Sequence, residues 1–172
     1  MEPQTVERSV VPSKPYVVLV GMDFSAPADR ALRKALELAS QRENAELHVA
    51  CIVPFGTPKG RHPLLEDRWI VAEGAAIEGV LISLRARLRA ELEAFAGLLS
   101  IEQRVPRRVI PHVSVDAPGL GLIQIALQVL ADVIVIGARG QGKAQPPLGS
   151  VAQTTLRHAR CTVVLTQFGD EG

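Results

Sequence analysis

The sequence predicts an α/β domain: an open, doubly wound, five-stranded parallel sheet flanked by about four helices. Three observations point there. Five short apolar runs alternate along the chain with stretches whose apolar residues recur at helical spacing, the pattern of strand–helix–strand crossovers. The first run, Tyr16 to Gly21 (YVVLVG), is apolar at every position before its glycine, as suits a strand covered on both faces. Ser25 and Pro27, a helix cap and a first-turn residue, follow directly on that strand.

The elements then follow in order. After Ser25, residues Ala28, Ala31, Leu32, Ala35, Leu36 and Ala39 mark a helix with a small-residue face that can pack close to a sheet. Glu46 to Val53 (ELHVACIV) is the second strand, ended by Pro54. Gly56, Pro58, Gly60 and Pro63 make residues 54–64 a long loop. A long helix is expected from about residue 67 to 99, with Ile77, Leu81, Leu84, Leu88, Leu92, Phe95 and Leu99 as its apolar stripe. Arg85, Arg87, Arg89, Glu91 and Glu93 read as its solvated surface.

Arg108 to Val115 (RVIPHVSV) alternates as a third strand, and Pro111, which cannot donate to a ladder, puts it at a sheet edge. Asp116-Ala117-Pro118-Gly119 turns into a helix carrying Leu122, Ile123, Ala126, Leu127 and Leu130. Asp132 to Gly137 (DVIVIG) is the fourth strand. A glycine-rich loop leads to Gly149-Ser150 and a short helix with Val151, Thr155 and Leu156. Thr162 to Thr166 (TVVLT) is the last strand. Residues 15–167 read as a single domain with neither repeat nor linker. Residues 1–14 read as a disordered lead-in without the apolar stretch of a signal peptide, and 168–172 as a frayed tail.

Composition narrows the function. Lys and Arg number 19 against 18 Asp and Glu, a formal charge of +1, so nothing electrostatic draws the chain to nucleic acid or an anionic membrane. Aromatic residues make up 3%, too few for base-stacking platforms. No apolar run approaches the roughly 20 residues of a membrane helix. Cys51 and Cys161 lie in or beside strand-like segments and read as reduced core thiols. His48, His62, His112 and His158 are scattered without ligand spacing, so no metal site is expected.

In an open α/β sheet a ligand binds beyond the carboxyl ends of the strands, where the strand order reverses. Two strand ends here are unusual. One ends in Gly21-Met22-Asp23, whose carboxylate can accept from a base amine or a ribose hydroxyl. The other ends in Gly137-Ala138-Arg139-Gly140-Gln141-Gly142-Lys143, whose glycines let backbone amides approach a phosphate and whose Arg139 and Lys143 can neutralise it. Gly149-Ser150 then opens a helix whose free amides favour the same anion. The stretch GARGQGKA imitates a P-loop. Ala144 stands where that loop needs its magnesium-binding hydroxyl, and Pro146-Pro147 interrupt the helix that should follow.

Asp23-Phe24-Ser25, Leu47-His48-Val49, DVIVIGARG, Leu148-Gly149-Ser150-Val151 and ARCTVVLT together resemble the universal stress protein (UspA) family over nearly all of residues 15–167. ATP-binding members of that family carry G-x2-G-x9-G-[ST]. Gly137, Gly140, Gly149 and Ser150 follow this pattern, with a gap of eight residues (141–148) in place of nine, a phosphate loop shortened by one. Asp116-Ala117-Pro118 stands where many relatives have Gly-x-Pro.

The resemblance implies a strand order of 3-2-1-4-5, with Asp23 and Val49 against an adenine and Gly137, Gly140, Gly149 and Ser150 around the phosphates. Arg139 and Gly142 belong to the same loop. It also implies a homodimer through the last strand, with Val163, Val164 and Leu165 as contact residues. The expected function is a cytoplasmic stress-response regulator that binds ATP, with magnesium accompanying the nucleotide, and hydrolyses it slowly or not at all. No catalytic base is visible. The alternative is a dimeric scaffold of the same family that binds a protein partner and no nucleotide. An enzyme of the wider adenine-nucleotide hydrolase class would need an acid/base pair facing the crevice, and the sequence offers none.

Overall fold

The computed structural model describes residues 14–54, 73–98, 105–139 and 148–167. The expected lead-in, the 54–64 loop beyond Pro54, the helical start at 67–72, Leu99 and the tail lie outside the described residues. Five strands and four helices alternate: β1 (Tyr16–Gly21), α1 (Ala26–Ser40), β2 (Ala45–Val53), α2 (Glu73–Ala96), β3 (Arg108–Val115), α3 (Pro118–Gln128), β4 (Val133–Gly137), α4 (Ser150–His158) and β5 (Thr162–Thr166). All pairings are parallel, and the sheet order is β3-β2-β1-β4-β5. The doubly wound sheet expected from the sequence is therefore present. Pro111 sits where its missing N–H predicts, on edge strand β3.

Parallel strands need crossovers, and these divide the helices between two faces. On one face Val18, Val20, Leu47, Val49, Cys51 and Val53 pack under α1 and α2. On the other, Leu19, Ala50, Ile134 and Ile136 pack under Leu122, Ile125 and Ala126 of α3 and Ala152 of α4. Successive residues of β1 thus enter opposite cores, as the two-residue period of a strand requires. Ala28, Ala31, Ala35 and Ala39 are almost wholly buried, and their small side chains let α1 lie close to β1 and β4. Each leucine that α1 adds there, Leu32 and Leu36, contributes about 1.5–3 kcal/mol by leaving water.

Helix α2 departs from expectation in two respects, the first being that Val80, outside the expected stripe, is buried while Ile77 and Leu81 are only partly so. Val80, Leu84 and Leu88 form the buried seam, with Leu92 and Phe95 partly buried beside it. Arg87 and Glu91 are not simply solvated. Arg87 pairs with Asp29 of α1, and Glu91 accepts from Arg33 at 3.1 and 3.3 Å. These pairs tie the two helices of one face together across their polar rims. The amino edge of the sheet is clamped by Asp132, whose carboxylate accepts from the Val17 amide at 2.8 Å and from Lys14 at 3.4 Å. Among the described residues no helix is long and apolar enough to cross a membrane.

Candidate functional site

The chain runs from β1 outward to β3, then returns across the sheet to β4. The strand order therefore reverses between β1 and β4, and the ground beyond their carboxyl ends is where an open α/β sheet holds a ligand. Register places Val20 opposite Val135 on one side and opposite Val49 on the other. Asp23 and Ala138 accordingly leave the sheet on neighbouring strands.

Asp23 is held by its own turn. Its Oδ1 accepts from the Ser25 amide at 3.0 Å and from the Ser25 hydroxyl at 2.5 Å. Phe24 between them takes a left-handed conformation, φ 60°, rare for an aromatic residue. The Met22 amide meanwhile donates to the Ala50 carbonyl at 2.8 Å, which carries the β1–β2 ladder one step further. The half-buried carboxylate is thus ordered before any ligand arrives. The thiol of Cys51 is pushed up to about 12, chiefly by its own burial and further by the Asp23 charge. Cys51 is fully buried and Cys161 half-buried, and both are free thiols, as their sequence context predicted.

The other strand end is built around Gly137. A Cβ there would lie 2.8 Å from Pro27 Cβ and 2.9 Å from the Arg139 carbonyl oxygen. Glycine is required because the first turn of α1 presses against the end of β4, a packing role that its place in a phosphate-binding pattern does not reveal. Beyond it, the Ala138 amide donates to the Thr166 carbonyl at 2.9 Å, and the Gly149 amide donates to the Ala138 carbonyl at 2.8 Å. The base of the 139–148 loop is thereby closed, and the Gly149 amide is already engaged. Arg139 is exposed at the mouth of this loop. Gly140 and Gly142, with Lys143, Pro146 and Pro147, lie outside the described residues.

The N-termini of α1 and α4 differ in what they offer an anion. Helix α1 is capped by its own Ser25, which accepts from the Ala28 amide at 3.3 Å, and it starts with Pro27 and Asp29. Helix α4 starts at exposed Ser150 behind Gly149, with no side-chain cap and no acidic residue in its first turn. The amides of Ser150, Val151 and Ala152 have no acceptor within the helix, so α4 carries the open positive end.

Val49 takes a different position. Its side chain is wholly buried among the residues under α1 and α2, with Val20 and Pro111 as register partners. It is closed to solvent within that core. Val163, Val164 and Leu165 lie half-buried on β5, which among the described residues pairs with β4 alone and forms the second edge of the sheet. Val164 packs against one core, Val163 and Leu165 against the other.

Two further sites in the fold are not part of this crevice. A depression of about 240 Å³ lies at the opposite, amino edge of β4 and β5, between the ends of α3 and α4, lined by Ile123, Leu127, Leu130, Asp132, Arg160 and Cys161. His48 of β2 and His112 of β3 meet side by side, 2.8 Å between Nδ1 and Nε2. Sequence reasoning passed over this pair because the two residues are 64 positions apart. The usable signal was the β2–β3 register, which puts both on one face. Among the described residues no group of three potential ligands could hold a metal ion.

An open parallel sheet with an ordered carboxylate and an uncapped helix N-terminus at its switch point defines a class of crevice suited to a nucleotide. The sequence matches the profile of the universal stress protein family over residues 17–167, and the chain belongs to that family. Solved structures show the same fold. Universal stress protein UspA from Lactobacillus plantarum is 23% identical, with a TM-score of 0.56 over 89% of this chain and 98% of that one. A universal stress protein solved in complex with cAMP is 24% identical, TM-score 0.58, covering 90% and 98%. One from Archaeoglobus fulgidus, in complex with dAMP, is 21% identical, TM-score 0.54, covering 88% and 97%. No curated protein matches the chain.

Proposed function

We propose that this chain is a nucleotide-binding regulatory protein that takes an adenine nucleotide, ATP with its magnesium, in the crevice between β1 and β4. What supports this reading is that Asp23 is fixed by Ser25 just beyond β1 and that α4, the helix after the neighbouring strand β4, starts without a side-chain cap. Asp23 would receive the base or ribose. The first-turn amides of α4, Ser150 foremost, would receive phosphate, with Gly140 and Gly142 letting the loop come close and Arg139 adding charge. Gly137 would shape the loop's base and Val49 the floor under the adenine. Relatives solved with cAMP and dAMP support an adenine nucleotide as the ligand class. In this reading the ligand serves as a signal that stabilises one state, in a stress-response role in the cytoplasm, with slow hydrolysis at most; among the described residues no group beside Asp23 is placed as a base for water.

Thermal unfolding of nucleotide-stripped protein tests this. A ligand at a hundredfold its Kd adds about 2.7 kcal/mol, which for a domain of this size raises the midpoint by about 5–10 °C. ATP with magnesium should shift the midpoint more than AMP does. The absence of any shift with millimolar ATP, ADP or AMP would overturn the reading.

One observation favours a second reading, a dimeric scaffold for a protein partner. The Gly149 amide is spent on Ala138, and Pro146-Pro147 bring no amides to the loop. Either reading makes the chain a homodimer through β5, an apolar edge strand that among the described residues pairs with β4 alone. Val164→Asp puts a charge in the centre of that strand and should sediment as a monomer in analytical ultracentrifugation. A dimer that survives the substitution would move the contact to another surface.

A further inference from the structure

The histidine pair stands on the face of the sheet shared by α3 and α4, at its β2–β3 side. Register sets Ile110 opposite His48 and Ala50 opposite His112, so the two rings are diagonal neighbours on one face. The rings lie edge to edge and nearly parallel, with centroids 5.0 Å apart and an interplanar angle of 17°. His48 is 6% exposed, and His112 is half-buried. Helix α2 packs on β3 from the opposite face, and α3 reaches β2.

Among the described residues few charged groups face the pair. Glu46 on β2 brings Oε2 to 3.6 Å from His48 Nε2, an ion-pair distance just beyond hydrogen-bond reach. Glu46 is also held by Arg108 of β3 at 3.2 Å. Helix α3, the cover on this side, has no charged residue, and β1 offers Leu19.

Proton counting follows from the chemistry of imidazole. A hydrogen bond between Nδ1 of His48 and Nε2 of His112 needs one nitrogen protonated and the other bare. With both rings neutral, the favourable arrangement has His112 Nε2–H donating to His48 Nδ1, so that His48 Nε2–H faces the Glu46 carboxylate. Network chemistry assigns this tautomer. One added proton is tolerated. His48 becomes imidazolium, donates through Nδ1 to His112, and keeps Glu46 as counter-charge, while His112 shifts its own hydrogen to Nδ1. A second proton leaves hydrogens on both facing nitrogens. The bond between the rings is then impossible, and two cations share one carboxylate already claimed by Arg108.

We propose that His48 and His112 form a proton-counting latch between β2 and β3, closed with zero or one added proton and opened by the second. Burial lowers the tendency of both rings to take protons, and for His112 the neighbouring His48 acts in the same direction. For His48 the carboxylate of Glu46 opposes that lowering without outweighing it. The sign follows from linkage. The unfolded chain takes both protons at the ordinary value of 6.5, and the native pair resists them. Stability from the latch is complete above that value and falls as pH drops through it toward the lowered native values. His48 directly precedes Val49, so an open latch would also disturb the floor of the nucleotide crevice. That last consequence alone rests on the proposed function.

The test is an NMR titration of the ring Cε1–H signals in the wild-type protein, with amide exchange recorded alongside. The two rings should titrate as a coupled pair, with the second step below the ordinary histidine range. At a pH under that step, protection of β2–β3 amides should fall about tenfold relative to β1–β4 amides, corrected for intrinsic exchange. His112→Gln should return His48 to a single step and shrink the drop in thermal midpoint between pH 7.5 and 5 by about 3 °C or more. Independent single-step titration of each ring, or uniform protection across the sheet, would overturn the latch. The wild-type data decide this even if the variant does not fold.

Discussion

Gly137→Val should unfold in the absence of any nucleotide at a midpoint about 10 °C below the wild type, a loss of about 3 kcal/mol. The added Cβ alone meets Pro27 at 2.8 Å and a backbone carbonyl at 2.9 Å, and neither is the loose end of a side chain. Either α1 must withdraw its first turn or β4 must bend, and both pack directly against the central strand β1. The outcome separates two roles for one residue. A glycine kept only for phosphate approach would lose nucleotide affinity when substituted and leave the stripped protein as stable as before. Chemical denaturation of the stripped variant reads the difference directly, and an unchanged midpoint would overturn the packing role.

Leu19→Ala is expected to cost about 3–4 kcal/mol, a large share of the roughly 5–15 kcal/mol that holds a domain of this kind together. Leu19 is fully buried in the central strand, between register partners His48 and Ile134, on the face where α3 packs. Close-packed neighbours on the strands to either side cannot collapse into the space left, so a cavity remains. Leu127→Ala on the outer side of α3 is the control. That residue is 49% exposed, and its truncation should change stability by about 0.5 kcal/mol. Urea denaturation of the three proteins checks both values. A Leu19 variant within 1 kcal/mol of wild type would mean that the second face is packed loosely.

Much of this architecture was legible before any coordinates. The apolar run of β1, the capped small-faced helix after it and the proline in β3 are local signals, and each is physically tied to one outcome: burial on both faces, a helix against a sheet, an edge strand. The strand order came through resemblance to a family, because nothing in a strand's own residues says which strand lies beside it. What escaped notice was set by tertiary neighbours. Arg87 and Glu91 have the composition of a solvated helix face, and only the placement of α1 beside α2 gives them Asp29 and Arg33. His48 and His112 become neighbours only once β2 and β3 are paired in register. The site divides the same way. Asp23 and Ser25 interact over two residues and announce themselves, whereas the contact between Gly137 and Pro27 spans the chain from β4 back to α1.

The depth and chemistry of Cys51 make it a built-in reporter. A thiol pushed up to about 12 and fully enclosed by the core presents almost no thiolate at neutral pH and no path for a reagent. Alkylation at Cys51 therefore waits for the sheet to open. The rate at which a maleimide consumes it, measured site by site against half-buried Cys161, becomes a clock for how often the native protein breathes. Any ligand that steadies the crevice above it would slow that clock without touching the sulfur.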